Sequence, residues 1–305
     1  MTIADALKIF GEPYPEHARP NADSATIRRG FELVNLGRTT DPNGRQSKYI
    51  SKYFVCTSCH NQVQEDPVLN QMNPEARLDF AVENELKFLP ASTFFGIANR
   101  ESWYNDDYYK KYGDLVKPAN KSLAEATQLC AKVCSSGRYL EEWELEAILA
   151  YYWSIQVSLK DLDLSEREWE EIINTKDSEK AISMLKSKYA LKSPATFGEL
   201  PQAMDKGFST YTGDAKKGEQ IYRLSCMACH QDGGVSDISF DYSKLTFNKF
   251  LRNINKNHPY NLYQIVRHGT YTDQGKPRYM PLYPKERLSD KQVEDLRVYM
   301  EQKAS

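Results

Sequence analysis

No window of this 305-residue chain approaches the run of about eighteen apolar residues that a membrane-spanning helix needs, so no such span is read from it. Neither sign of charge dominates. With 40 Lys and Arg against 42 Asp and Glu the formal charge is -2, which argues against a nucleic acid or another polyanion as the main partner. Residues Met1 to Phe10 lack the basic flank, long apolar stretch and small-residue cleavage site of an export signal, so they read as mature sequence from which any signal has gone. Histidine is scarce, with five in the whole chain, so each one can be weighed singly.

What is present is ordinary in bulk and unusual in pattern. Apolar content of 40% and charged content of 27% are those of a globular protein, and the length accommodates two modest domains. Four of the six cysteines fall into two copies of one spacing, Cys56-Thr57-Ser58-Cys59-His60 and Cys226-Met227-Ala228-Cys229-His230. In C-x-x-C-H both thiols add across the vinyl groups of haem, and the adjacent histidine becomes the proximal iron ligand. A zinc pair or a redox dithiol would use the same cysteines, but neither requires the following histidine twice. The expectation is two covalently bound haem c groups, attached through Cys56, Cys59, Cys226 and Cys229 and ligated by His60 and His230.

The surroundings of the two motifs repeat as well. Ala25 to Leu36 reads as an opening helix, Thr40 to Gln46 as a turn-rich loop and Phe54 to His60 as an attachment turn. Trp143, Leu145, Ile148, Leu149 and Trp153 then give the segment 141–155 a broad apolar face suited to a closing helix. In the second half Asp214 to Leu224, Cys226 to His230, and Ser289 to Glu301 follow the same order, the last begun by a Ser-Asp cap. Charged, helix-favouring sequence from Lys160 onward loosens at Pro194 and Pro201. The fold class is therefore all-α, with two cytochrome c-like domains joined by a mostly helical connector. The boundaries read are 1–157 with an insertion over 62–120, a connector at 158–212, and 213–305. That insertion is rich in aromatics, including Trp103, Tyr104, Tyr108, Tyr109 and Tyr112. They suit shielding of a porphyrin, or a substrate or partner surface.

The distal ligands decide the chemistry. Met280-Pro281-Leu282 lies between the second attachment turn and its closing helix, so Met280 is the expected distal ligand of the second haem, giving a His/Met iron suited to electron transfer. His268 competes for that role, while His258, before Pro259, and His17, in a proline-rich start, read as structural. The first half has no Met-Pro strap, since Met72 precedes Asn73. Cys130 and Cys134 stand before Gly137 and the closing helix where a strap belongs, so one thiolate is expected on the first iron. A disulfide between them, or two buried thiols, are the competing readings.

At these residues the first half resembles the thiosulfate dehydrogenase and tetrathionate reductase family, dihaem enzymes that couple two thiosulfates into tetrathionate or run the reverse. The matching stretches are Arg29-Gly30-Phe31-Glu32-Leu33-Val34 before Cys56 to His60, and Leu129-Cys130 through Gly137-Arg138-Tyr139-Leu140. Met280-Pro281-Leu282 with Leu288-Ser289-Asp290-Lys291-Gln292 resembles the family's second strap and closing helix. The resemblance implies that Cys130, seven residues before Gly137, is the distal ligand and the catalytic sulfur. It also departs from the family: Val133 and Cys134 replace an arginine and serine, and the stretch from His60 to Cys130 is longer. Arg138, Arg100 and Lys132 are the candidates to replace the missing sulfonate-binding arginine.

Two function classes stay open at this point. One is an enzyme interconverting thiosulfate and tetrathionate at a His60/Cys130 haem, with a His230/Met280 haem as relay. The other is a non-enzymatic dihaem carrier that docks a redox partner; a peroxidase lacks an evident open iron position. Either way the expected partner is a small redox protein such as a soluble cytochrome, joined in the enzyme case by a small sulfur oxyanion. Covalent haem attachment outside the bacterial cytoplasm implies a periplasmic or other extracytoplasmic location.

Overall fold

A computed structural model describes residues 1–254, 261–270 and 279–305. Among them the regular elements are helical, and the only ladder-type pairings are the isolated bridges Thr2–Ser158 and Thr40–Gln46. The fold is all-α. The chain divides into two units, one comprising 1–57, 61–72 and 93–194, the other 58–60, 73–92 and 195–305.

The first unit is built on an opening helix, Ser24–Leu36, and a closing helix, Glu142–Ser154. Asp23 caps the first by accepting from Thr26 N, and Gly37 ends it in the left-handed conformation at φ 71°, which only glycine adopts without cost. Glu141 and Glu144 form a reciprocal capping box at the start of the second. Leu33 and Val34 meet Ala147, Ile148, Tyr151 and Tyr152 in a core that also takes in Trp103, Leu123 and Leu129. A second core joins Ile3, Ala6 and Leu7 to Ile172, Ala181 and Leu185 of helices Glu166–Asn174 and Ser178–Lys186. The charged connector thus packs within this unit as far as Pro194.

In the second unit the opening helix Ala215–Ile221, capped by Asp214, runs on without a break. A π-helical turn, Tyr222–Cys226, leads into Met227–His230, so the attachment motif continues the helix rather than following it as a separate turn. The closing helix is Asp290–Ala304, started by a Ser289/Gln292 capping box. Residues 73–92, read from sequence as part of the first domain's insertion, belong to this unit. Their helix, Pro74–Glu83, supplies Leu78 and Ala81 to a core shared with Phe88, Ile221, Tyr222, Phe247 and Tyr299. Arg77 is buried with its guanidinium 3.7 Å from the centre of the Phe88 ring, and bonds to the Arg287 carbonyl. Arg287 in turn donates to Leu89 O at 3.2 Å from Nε and 3.0 Å from Nη2.

Candidate haem and cysteine sites

Each attachment histidine is held by one ring nitrogen. His60 Nδ1 lies 2.6 Å from Ser92 O, and His230 Nδ1 lies 2.8 Å from Ile238 O. A carbonyl only accepts, so Nδ1 carries the proton and Nε2 keeps its lone pair for a metal. The His230 ring also stacks on Phe240, with centroids 4.0 Å apart and planes at 11°. Desolvation by burial lowers the His230 pKa, favouring the neutral form that ligates.

The cysteines at these motifs form no disulfide, and Cys56 and Cys226 pack against the hydrophobic cores. Burial pushes Cys56 up to about 11 and Cys226 up to about 12. Such places suit thioethers, which carry no charge. In the second unit, Cys229 Sγ lies 3.9 Å from Ser58 O, and Tyr283 is buried near Cys229, Cys226 and Cys59. Tyr283 Oη is fixed 2.6 Å from Ser225 Oγ. Trp103 Nε1 and Tyr299 Oη are buried with no hydrogen-bond partner among the described residues, and they are donors of the kind that haem propionates accept. Donor set, tautomer, apolar thiol sites and orphaned donors all fit haem c.

The Met280 strap is anchored at its start. Thr270 N donates to Met280 O at 2.9 Å, and Met280 N donates to Thr270 Oγ1 at 2.7 Å. Met280 packs among the hydrophobic residues that also include Cys226, Met227 and Phe240. The far side of the strap is tied by Arg267, a residue the sequence reading passed over. Fully buried, it donates to Tyr283 O at 3.1 Å, Leu288 O at 2.7 Å and Asp290 Oδ1 at 2.7 Å. Its position before His268, in the helix Leu262–His268, was the available signal. His268 itself is exposed. His17 is buried, with Nε2 2.9 Å from Ala98 O and its ring edge-on to Trp103, a structural role. His258 lies outside the described residues.

Cys130 and Cys134 occupy a π-helical turn, Cys130–Cys134, that extends the helix Leu123–Leu129 and is closed by Ser135 N donating to Cys130 O at 2.9 Å. Both are half-buried and outside any disulfide, and their thiols are in hydrogen-bond contact. Tyr112 Oη lies 3.3 Å and Tyr104 Oη 3.5 Å from Cys134 Sγ. The bond from Cys130, then those from Tyr104 and Tyr112, with the charge of Lys111, hold Cys134 below the ordinary thiol range despite burial. Tyr104 is driven the other way, by burial and then the sulfur charges, so it stays protonated as a donor. Of the aromatic run, Trp103 is buried, Tyr104, Tyr108 and Tyr112 are half-buried, and Tyr109 is exposed.

The three candidate anion-binding cations are engaged elsewhere. Arg138 forms a two-pronged pair with the buried Glu144, at 2.6 Å from each nitrogen, and donates to Lys48 O, Tyr49 O and Tyr139 O. Buried Arg100 bonds Ser193 Oγ at 2.7 Å and Thr93 O at 3.2 Å. Lys132 reaches Gly137 O at 3.5 Å.

A family model described as cytochrome C oxidase, cbb3-type, subunit III matches residues 213–300. No curated protein and no solved structure matches the chain. The matched segment holds the second attachment motif, the Met280 strap and the closing helix, and it is a c-type cytochrome domain. It binds haem c covalently and serves electron transfer with a redox partner. Among the described residues no helix is long and apolar enough to cross a membrane.

Proposed function

We propose that the chain is a dihaem c-type cytochrome of the periplasm or another extracytoplasmic space, with haems attached at Cys56/Cys59 and Cys226/Cys229. His60 and His230 serve as proximal ligands, Cys130 as distal ligand of the first iron and Met280 of the second. The observation that carries the dihaem reading is the shared tether: each motif histidine gives Nδ1 to a backbone carbonyl. The approach of Cys229 to Ser58, with Tyr283 near both Cys59 and Cys229, favours electron passage between the two attachment sites.

The reaction that suits a cysteine-ligated site is the interconversion of thiosulfate and tetrathionate. Two thiosulfate dianions joined through a new S–S bond yield one tetrathionate dianion and release two electrons, with no proton taken or given. Haem, when bound, supplies one-electron acceptance and donation. The chain's own part is to hold a sulfur, to desolvate it beside the aromatic insertion, and to place a second site for onward transfer to a small soluble cytochrome.

The second reading, a dihaem carrier without an enzymatic reaction, is favoured by the engagement of Arg138, Arg100 and Lys132 away from the cysteines. Low-temperature electron paramagnetic resonance of the oxidised protein separates the two. A narrow-spread, thiolate-ligated low-spin signal that disappears in Cys130→Ala and persists in Cys134→Ala supports the enzyme site. No thiolate signal in any preparation makes the carrier the better reading.

A further inference from the structure

Cations crowd one face of the first unit. Arg38, Arg45, Lys48, Lys52 and Lys132 are exposed, and none of them pairs with a carboxylate among the described residues. Contacts place them together. The Arg38 guanidinium lies 4.3 Å from the centre of the Tyr49 ring. Ile50 N donates to Gly37 O at 2.8 Å, and Arg138 donates to Lys48 O at 3.0 Å and to Tyr49 O at 3.1 Å. Arg138 N also meets Ile50 O at 3.0 Å, and Ser51 Oγ donates to Ser135 O at 2.6 Å. The loop 37–52 therefore lies along the turn that carries Lys132, whose ammonium is 5.7 Å from the Tyr139 ring.

The carboxylates of these segments are engaged within the fold. Asp41 accepts from the backbone amides of Asn43 and Arg45, both at 2.8 Å. Glu32 accepts from Thr39 Oγ1 and from Arg28, Glu144 is buried against Arg138, and Glu141 takes the Trp143 indole N–H at 2.8 Å. Glu142, three residues past Tyr139, is exposed and interrupts the positive surface there. In a chain whose formal charge is -2, this face is positive by local arrangement and not by composition. Tyr49 and Tyr139, both exposed, stand among the cations and give the face apolar area as well. The same face adjoins the first haem site. Lys52 is four residues before Cys56, Lys132 lies between Cys130 and Cys134, and a methyl group on Gly37 would meet Val55, beside Cys56, at 3.3 Å.

We propose that this face receives a redox protein with an acidic surface, which exchanges electrons with the haem attached at Cys56 and Cys59. The inference rests on the reading of a haem there and deepens the carrier reading: the partner is anionic, and electrons enter or leave through the first unit. Opposite charge steers the partner to the face, and the exposed ammonium and guanidinium groups stay hydrated, so the complex forms fast and parts fast. Tyr49 and Tyr139 supply contact area that loses its water on docking. The place of the cations favours a redox protein over an anionic lipid surface, since they border the two segments that hold the first haem site.

The test follows reduction of the oxidised holoprotein by the hydroquinone of an acidic flavodoxin in stopped flow, read at the haem absorbance. Each event passes one electron: the flavin hydroquinone anion becomes the neutral semiquinone and a ferric haem becomes ferrous, with no proton released. The second-order rate constant is expected to fall as salt is raised, and to fall about ten-fold or more in Lys48→Glu/Lys52→Glu at low ionic strength. Arg167→Glu/Lys176→Glu changes the net charge equally on exposed residues of the connector, and should leave the rate within about two-fold. Acetylation footprinting of the wild-type complex needs no variant: flavodoxin should protect Lys48, Lys52 and Lys132 and leave Lys176 reactive. Equal slowing in the two double variants, a rate that rises with salt, or protection of these lysines by phosphatidylglycerol vesicles but not by flavodoxin would each overturn the proposal. Mass mapping of the peptide holding Cys56 and Cys59 keeps two failures apart. Haem absent from it removes the haem reading and the proposal with it, whereas haem present with unselective kinetics removes the docking face alone.

Discussion

Gly218 lies so close beneath the carbonyl of Asp295 that a methyl group on it would overlap the oxygen and press on the Tyr299 Cβ. In the first unit Gly30 stands in the same relation to Ala147 O and the Tyr151 Cβ. In each unit the opening helix crosses the closing helix at a residue without a side chain, and the partners are spaced four apart, one helical turn.

Replacing either glycine by alanine forces the helices apart at the centre of a core. A loss of about 1–3 kcal/mol is expected for Gly218→Ala and for Gly30→Ala. Thermal unfolding of the holoprotein, followed in the far ultraviolet and at the haem absorbance, checks this. An unchanged unfolding temperature in both variants would show that the crossings are looser than described.

Arg267 ties Tyr283, Leu288 and Asp290 together from a fully buried position. Arg267→Met strips those acceptors of their donor and should cost about 3 kcal/mol, softened by Lys285, which keeps a 2.9 Å pair with Asp290. Arg267→Lys should restore little, since one ammonium cannot reach three acceptors held in a fork. With Met280 as ligand, both variants weaken the methionine-to-iron charge-transfer band. Retention of full stability and of the band in Arg267→Met would rule out the anchoring role.

Met280→His should lower the midpoint potential of one haem and leave the other unaltered, because imidazole stabilises the oxidised iron more than thioether does. The change belongs within the roughly 0.8 V range over which axial ligands set haem potentials. Spectroelectrochemical titration reads it directly, and identical titrations in the variant and wild type would remove Met280 from the iron.

Burial lowers the pKa of His17, which meets Ala98 O through Nε2. The unfolded chain, titrating near the free histidine value of about 6.5, therefore takes up a proton before the folded one does. The stability this residue contributes is present above pH of about 6.5 and is lost as pH falls from there through the depressed folded value. His17→Gln, which keeps an N–H for Ala98 but does not titrate, should flatten the fall in unfolding temperature on acidification from neutrality. A slope equal to wild type would assign the acid sensitivity to other groups.

The helices and their ends were legible because local chemistry sets them. Ser289 accepts from a backbone amide at the start expected of it, and Asp23 and Asp214 cap opening helices that begin at Ser24 and Ala215, within a residue of the Ala25 and Asp214 starts expected. The π turns were not legible: an extra residue in Cys130–Cys134 or Tyr222–Cys226 changes no side-chain type, only the hydrogen-bond register. Nor was the allegiance of 73–92. Leu78 and Ala81 mark an apolar face, but a face does not say which core it completes.

The sequence by itself determined the helical class and showed the two C-x-x-C-H spacings, because propensity and the spacing of thiol and imidazole along a chain are local properties. It also singled out the segment 130–137. Tertiary structure alone decided which cations are already engaged, that Arg267 locks the Met280 strap, and that Tyr104 and Tyr112 close on Cys134. Those contacts join residues far apart in the chain, and their geometry depends on how buried faces pack, which periodicity and composition do not encode.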